Sequence, residues 1–272
     1  MMIYTVYLCG SALSMPRRAH PLEKSFTVWY DNDRVALFLP ESAFRTAVQA
    51  GKGRAIFQMF NVYLMRNAEN EIRRAFPSAE RTAELAACRD GALRESKCAS
   101  WTLLDGAILH ATGAPVDFRT FTREKNGKWS CPSAAFSLSH TKDFCAAVVS
   151  DAPCGIDIEE RTAFLRTHDD ERAAKIKERI LAAGDDANED FLTLWTKKES
   201  LYKAYGSGGF APREIDTGAH PVRVYTIPAF DLTLSVCGEN LDEIRFFCLR
   251  ENKVVPMDGG EILPTAKKNI QP

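Results

Sequence analysis

No apolar run in the chain approaches the roughly 20 residues needed to cross a bilayer, so no membrane-spanning helix is expected. Net charge is also nearly absent: 35 Lys and Arg stand against 36 Asp and Glu, leaving −1. So weak a field does not favour nucleic acid or anionic lipid, and neither is expected as a partner. Eight cysteines are present but no Cys-x-x-Cys pair, which argues against zinc and thioredoxin-type sites. Several thiols sit in apolar runs, as in Phe144-Cys145-Ala146, where a reduced Cys acts as a small hydrophobe. A reducing, cytoplasmic location is therefore expected. Short repeats and low-complexity stretches are lacking too. Ile3–Leu13 is fairly apolar, yet no Lys or Arg precedes it and Tyr4, Tyr7 and Gly10 interrupt it. Met1–Leu8 thus reads as a strand rather than as a signal peptide.

What is present is the composition of a soluble globular protein: 272 residues, 45% hydrophobic and 26% charged, enough for one large domain or two small ones. The pattern predicts strands at Phe26–Tyr30 and Val35–Leu39 around an Asp31-Asn32-Asp33 hairpin turn, then a short helix over Glu41–Ala50. A strand at Phe57–Leu64 follows, with helices over Glu69–Arg74, Ala79–Cys88 and Leu93–Ala111. Phe118–Arg123 reads as a strand before an Asn126-Gly127 turn. A meander of Phe136–Ser139, Phe144–Val149 and Gly155–Glu159 comes next. An amphipathic helix covers Glu171–Ala183, and three strands, Val222–Ile227, Asp231–Val236 and Ile244–Leu249, close the fold before a tail from Gly259. Strands that run in groups fit an α+β class better than a doubly wound sheet.

Two short segments carry the chemistry. In Gly155-Ile156-Asp157-Ile158-Glu159 the alternation turns both isoleucines to one face and both carboxylates to the other. Two unneutralised carboxylates at i and i+2 repel, and burial worsens the repulsion. A cation relieves it, and oxygen ligands working with substrate phosphates point to Mg²⁺. In Phe191–Tyr205, apolar residues recur at helical spacing. Asn188 and Asp190 stand ready to cap the start, and Gly206-Ser207-Gly208-Gly209 ends the helix. Trp195, Glu199 and Lys203 share one stripe. Taken alone, each segment has an ordinary reading: a solvated strand face, and an i,i+4 Glu–Lys pair worth only a few tenths of a kcal/mol.

Their order changes the reading. Phe136-Ser137-Leu138-Ser139-His140, then Gly155–Glu159, then Leu194-Trp195-Thr196-Lys197-Lys198-Glu199-Ser200-Leu201-Tyr202-Lys203 resembles the 4′-phosphopantetheinyl transferase superfamily, in particular its surfactin-synthetase (Sfp) type. The likeness is specific from about Ala135 to Gly206. Upstream, Asn126-Gly127-Lys128 stands where the family has a Gly-Lys-Pro turn, with Trp129 in place of the proline.

The resemblance implies a pseudo-dimer of two similar α/β halves with coenzyme A between them. It divides the chain into an N-terminal extension at 1–55, a first transferase half at 56–153 and a second half with the metal site at 154–272. In the alternative division, Ile3–Leu8 is the opening strand and 20–76 an insertion. The implied reaction moves the 4′-phosphopantetheine arm of coenzyme A to a serine of an apo acyl or peptidyl carrier protein, releasing 3′,5′-ADP. Asp157, Glu159 and Glu199 would hold Mg²⁺, or Mn²⁺ in its place. Glu199 would also be the base, directly or through a metal-bound water, and Lys203 would contact the pyrophosphate with Lys198 beside it. Ser139, His140 and Lys128 would hold the 3′-phosphate. Trp195 is expected in the core. Arg81, Arg94 and Lys97 do not align cleanly with the basic positions of the family's first half. The implied protein is a cytoplasmic monomer. Two other readings stand beside this one, a non-catalytic coenzyme A- or carrier-binding protein and an unrelated Mg²⁺-dependent phosphohydrolase.

Overall fold

The computed structural model describes residues 60–124, 127–239 and 241–265 in full, together with the backbone of three strands nearer the N-terminus. By contact the chain divides into two compact units, residues 1–57 and 58–272. In the first, β1 (Tyr4–Val6) lies parallel to β2 (Ser25–Trp29), and β2 is antiparallel to β3 (Ala36–Pro40), with Phe26 opposite Leu39. The helix expected over Glu41–Ala50 falls outside the described residues, as do residues 266–272.

The second unit is mixed α and β. In chain order it contains β4 (Phe60–Arg66), α1 (Ala79–Ala87), α2 (Gly91–Thr112), β5 (Thr122–Arg123), β6 (Trp129–Ser130), β7 (Ala135–His140), β8 (Phe144–Ser150) and β9 (Cys154–Glu160). Then come α3 (Arg161–Thr167), α4 (Asp170–Ile180), α5 (Phe191–Tyr205), β10 (Val222–Ile227), β11 (Leu232–Gly238), β12 (Ile244–Arg250), β13 (Lys253–Pro256) and β14 (Leu263–Pro264). One sheet runs β13-β12-β4-β8-β7 and a second runs β14-β10-β11-β9. The chain reaches the first sheet twice, since β12 lies parallel to β4 from the far end of the sequence.

Alternation along the strands builds the layers. From β4, Tyr63 and Met65 enter a core with α2, where Trp101, Leu104 and Ile108 meet Phe118, Phe121 and Trp129. The intervening Val62 and Leu64 enter a second core, between the sheets, with Ile156, Ile158, Leu234 and Val236. The other face of the second sheet carries α5, where Cys237 packs on Leu201 and Ala204. The order is helix, sheet, sheet, helix.

The edge strands β7 and β9 meet where the two sheets adjoin, and serine hydroxyls rather than a backbone ladder join them there. Ser137 Oγ accepts from Ile156 N and Ser139 Oγ from Ile158 N, both at 3.2 Å. This junction brings the Ser-His end of β7 against the carboxylate face of β9.

Several expectations are corrected. Glu69–Arg74 is not helical: a single 3₁₀ turn over Asn67–Glu69 gives way to irregular chain. Its backbone donors are claimed elsewhere, Glu71 N by the Asn252 side chain and Arg73 N by Thr102 Oγ1. Phe118–Thr120 is a 3₁₀ turn rather than a strand, because Asp117 accepts from Arg119 N. Beyond Gly259 the chain is not merely a tail, for Leu263–Pro264 pairs with Thr226 and Tyr225.

Candidate active site

Helix α5 carries three of the expected groups, Lys198, Glu199 and Lys203, and its position rests on local chemistry at three points. Asp190 caps it, accepting from Thr193 N at 3.0 Å and from Thr193 Oγ1 at 2.7 Å. Gly206 N bonds back to Tyr202 O at 2.8 Å as the helix ends. Gly155 on β9 lets the helix approach: a Cβ there would stand 1.9 Å from the Ser200 carbonyl oxygen. The facing polar groups are satisfied, with Ser200 Oγ 2.9 Å from Ser235 Oγ and Cys237 Sγ donating to Ser200 O.

That close approach lays one stripe of α5 over the polar face of β9. Lys203 Nζ is 2.6 Å from Asp157 Oδ1, 3.2 Å from Ser139 Oγ and 3.8 Å from Glu199 Oε2. Ser139 Oγ itself donates to Asp157 Oδ1 at 2.9 Å. The second oxygen of Asp157, Oδ2, is buried and has no hydrogen-bond partner. An orphaned carboxylate oxygen costs free energy and is poised for a further donor or a cation.

The neighbouring carboxylates register this crowding. Glu159 is pushed up to about 7, by burial first and then by the charges of Asp157 and Glu199, with Lys203 opposing. Glu199 is also raised, by burial, with the Lys203 charge opposing and that of Asp157 adding. His140 is lowered, chiefly by burial. The cations Lys203 and Lys97 reinforce the shift, while its own backbone and Asp157 oppose it.

Among the described residues no three His, Cys, Asp or Glu side chains stand close enough to hold a metal as they lie. The Lys203 ammonium occupies Asp157 Oδ1 and supplies part of the needed positive charge. The donor set nonetheless suits a hard cation. It has three carboxylates coupled by repulsion, one with a free buried oxygen, and no soft ligand among them.

Of the remaining expected residues, Lys128 reaches α5, its Nζ donating to Ala204 O at 3.3 Å. It leaves a tight turn in which Gly127, at φ +88°, is in the region that favours glycine. A cavity of about 190 Å³ opens beside it, lined by Lys128, Trp129, Phe136, Ser137, Leu138, Tyr202 and Lys203. Trp129, which stands in the place of a proline in the turn motif, is thus one wall of that space.

Lys198 lies elsewhere. It has no exposed surface, and its Nζ is 2.5 Å from both Asp185 Oδ2 and Ile215 O. Asp185 is equally buried and also accepts from Ala182 N, Thr217 N and Thr217 Oγ1. Lys198 therefore ties α5 to two flanking loops. One residue of helix is about 100° of rotation, which separates it from the Glu199–Lys203 stripe. Lys197 pairs with Glu189. Trp195 is half-buried against Phe191 and Phe210.

Arg81, Lys97 and Arg123 gather near the site around one carboxylate, Glu84. No motif marks that gathering in the sequence, because its members come from three elements. The signal available is the i,i+3 spacing of Arg81 and Glu84.

Comparison with known proteins agrees with the motif. Residues 153–250 match the model of the 4′-phosphopantetheinyl transferase superfamily. The resemblance read from Asp157-Ile158-Glu159 and the α5 motif is thus shown over the segment that holds Asp157, Glu159, Glu199 and Lys203, while Ser139-His140 lies before it. A curated protein of Bacillus pumilus, 4′-phosphopantetheinyl transferase psf-1, is 33% identical over 129 residues, covering 43% of this chain and 55% of its own length. The chain spans about half the length of this curated relative.

Proposed function

We propose that the chain is a 4′-phosphopantetheinyl transferase. It moves the phosphopantetheine arm of coenzyme A to a serine hydroxyl of an apo acyl or peptidyl carrier protein, acting as a cytoplasmic monomer. The observation that carries the reading is Lys203 set among Asp157, Glu199 and Ser139, with Asp157 Oδ2 left without a partner.

In balanced form, the serine oxygen bonds to the phosphorus that bears pantetheine. The anhydride bond to the adenosine side breaks, and 3′,5′-ADP leaves. The serine proton passes to a base. Glu199 suits that task, since a carboxylate raised above its ordinary range is a stronger base, and a positioned base typically gives 10²–10⁴-fold. Lys203 balances the charge that grows on the leaving oxygen. Asp157, Glu159 and Glu199 would hold Mg²⁺ or Mn²⁺, which would neutralise the anhydride's charge. Lys128 and His140 would bind the non-reacting 3′-phosphate near the end of β7, with coenzyme A lying between two similar halves. Ser139, whose hydroxyl proton goes to Asp157, instead holds that carboxylate in place. Lys198, buried in its pair with Asp185, supports the helix from behind.

The test is mass spectrometry of several apo-carriers incubated with the protein, coenzyme A and Mg²⁺. The expected result is a carrier heavier by one phosphopantetheine, with the gain lost on adding a chelator. Coenzyme A consumed without any carrier would instead identify a phosphohydrolase. Coenzyme A bound but never transferred would identify a non-catalytic binder.

A further inference from the structure

Glu84 is a carboxylate held by cations at the border of the proposed nucleotide site. Arg81 Nη1 donates to it at 2.6 Å and Lys97 Nζ at 2.8 Å, while Arg123 Nη2 stands 3.9 Å away. Arg81 is otherwise committed: its Nη2 donates to Lys97 O at 2.6 Å, and its guanidinium lies 4.5 Å over the Trp101 ring. Lys97 and Arg123 are partly exposed, at 27% and 37%, whereas Glu84 is only 13% exposed. The cations best able to meet a ligand are thus turned inward onto one acid.

The group lies between two elements that concern the ligand. On one side Ser96, next to Lys97, reaches Thr141 O at 3.5 Å, one residue past His140, and the Lys97 charge is felt at His140. On the other side Arg123 pairs across the β5–β6 ribbon with Trp129, and its Nε donates to Gly127 O at 3.3 Å, in the turn that carries Lys128. Three cations against one carboxylate leave an excess of positive charge matched to a phosphate dianion. Glu84 would face that dianion as a like charge.

We propose that Glu84 is a built-in competitor for the 3′-phosphate of coenzyme A, engaging Lys97 and Arg123 in the free protein and yielding them when the phosphate arrives. The inference rests on the reading that Lys128 and His140 hold that phosphate. Its consequence is weaker binding of every ligand carrying the group, including the product 3′,5′-ADP, whose release it hastens. The interaction is the same in ground and transition states, so it acts on binding rather than on the chemical step.

Calorimetric titration of the wild type and Glu84→Gln with coenzyme A and with dephospho-coenzyme A tests it. The amide removes the charge and keeps one acceptor oxygen, so only one of the hydrogen bonds from Arg81 and Lys97 survives with it. The expected result is coenzyme A bound roughly fivefold more tightly by Glu84→Gln, with the dephospho form unchanged within about twofold. Thermal melting checks the fold. Glu84→Asp, which draws the charge back by one methylene, should shift in the same direction by less and serves if the Gln variant does not fold. Weaker coenzyme A binding by Glu84→Gln would show that the acid orients the cations, overturning the proposal. An equal shift for both ligands would overturn it too. A wild type that binds both forms alike would instead remove the phosphate placement beneath it, while transfer to a carrier would still be scored independently.

Discussion

The two helix-on-sheet layers of the second unit use the same architecture for different ends. Helix α2 covers the first sheet with an apolar face: Cys98, Trp101, Leu104, Ala107 and Ile108 are all buried. Its aromatic partners supply edge and stacked contacts, as in Trp101 with Phe118 and Trp129. Helix α5 covers the second sheet with a face in which Thr196 and Ser200 have no exposed surface, while Lys198, about 200° round the helix from both, is as fully buried against two loops. Each polar group there is paired, and the stripe beside them holds Glu199 and Lys203. An apolar layer is tolerant of exchange, so α2 can serve stability alone. A layer fixed by hydrogen bonds and one buried ion pair holds its neighbours at defined positions, which is what a charged site needs.

The largest expected effect falls on the α5 layer and leaves the fold intact. Asp157→Ala and Glu199→Gln should cut carrier modification by roughly two to three orders of magnitude or more. Glu199→Gln removes a charge from a crowded set, so its melting temperature should hold or rise. Asp157→Ala also takes the shared acceptor from Lys203 and Ser139 and should lower it modestly. Mass-spectrometric rates beside thermal melts check this. Turnover within a few-fold of wild type in both variants would sink the assignment of the site.

The next pair of changes sets one layer directly against the other. Leu104→Ala, in the α2 core, should cost about 3 kcal/mol by leaving a cavity. Lys198→Met should cost about 3–5 kcal/mol by stranding the Asp185 carboxylate. The difference lies in rescue. Replacing Asp185 by Leu in the Lys198→Met background should recover much of the loss, because the stranded charge is then gone. Chemical denaturation of the three variants is the measurement. No recovery in the double variant would mean that Lys198 contributes chiefly by packing, as a core leucine does.

How far this contrast was readable in the sequence depends on distance along the chain. The alternation of Gly155–Glu159 and the i,i+4 stripe of Glu199 and Lys203 are local periodicities, and the structure brings Asp157, Ser139, Glu199 and Lys203 together. Lys198 was not readable as an anchor, because Asp185 and Ile215 lie on loops with no pattern of their own. Glu84 was hidden for a different reason, since the cations around it come from two helices and a strand far apart in sequence. The strands β13 and β14 were missed because each is short and set by its partner rather than by its own alternation. The apparent helix over Glu69–Arg74 fails because Asn252 and Thr102, distant in sequence, take its backbone donors.

A smaller effect is expected where the α5 layer touches its sheet. Gly155→Ala would place a methyl carbon against the Ser200 carbonyl. Overpacking of that kind typically costs about 1–3 kcal/mol, or ~2–12 °C in melting temperature for a unit of this size. Because the displaced element carries Glu199, turnover should fall as well. A stability loss with unchanged turnover would show that the helix can lift from β9 without disturbing the site.

The smallest expected effect is a pH-dependent one, and it reads the carboxylate set without any carrier. Glu159 is raised in the folded protein to about 7 from an ordinary 4.5. Between those values the folded chain binds more protons than the unfolded one, so stability falls as pH rises through that window. The contribution is fully present below the unfolded value and lost as pH passes the folded one. A divalent cation binds the ionised carboxylates and competes with protons for them. Mg²⁺ should therefore raise the melting temperature by a few degrees at pH 8 and by much less at pH 5, flattening the decline. In Leu104→Ala the Mg²⁺ dependence should survive at a lower baseline, since the α2 layer takes no part in it. In Asp157→Ala it should shrink or vanish. An equal Mg²⁺ effect at both pH values, or one unchanged by Asp157→Ala, would place cation binding outside these three carboxylates and break the division of labour between the two layers.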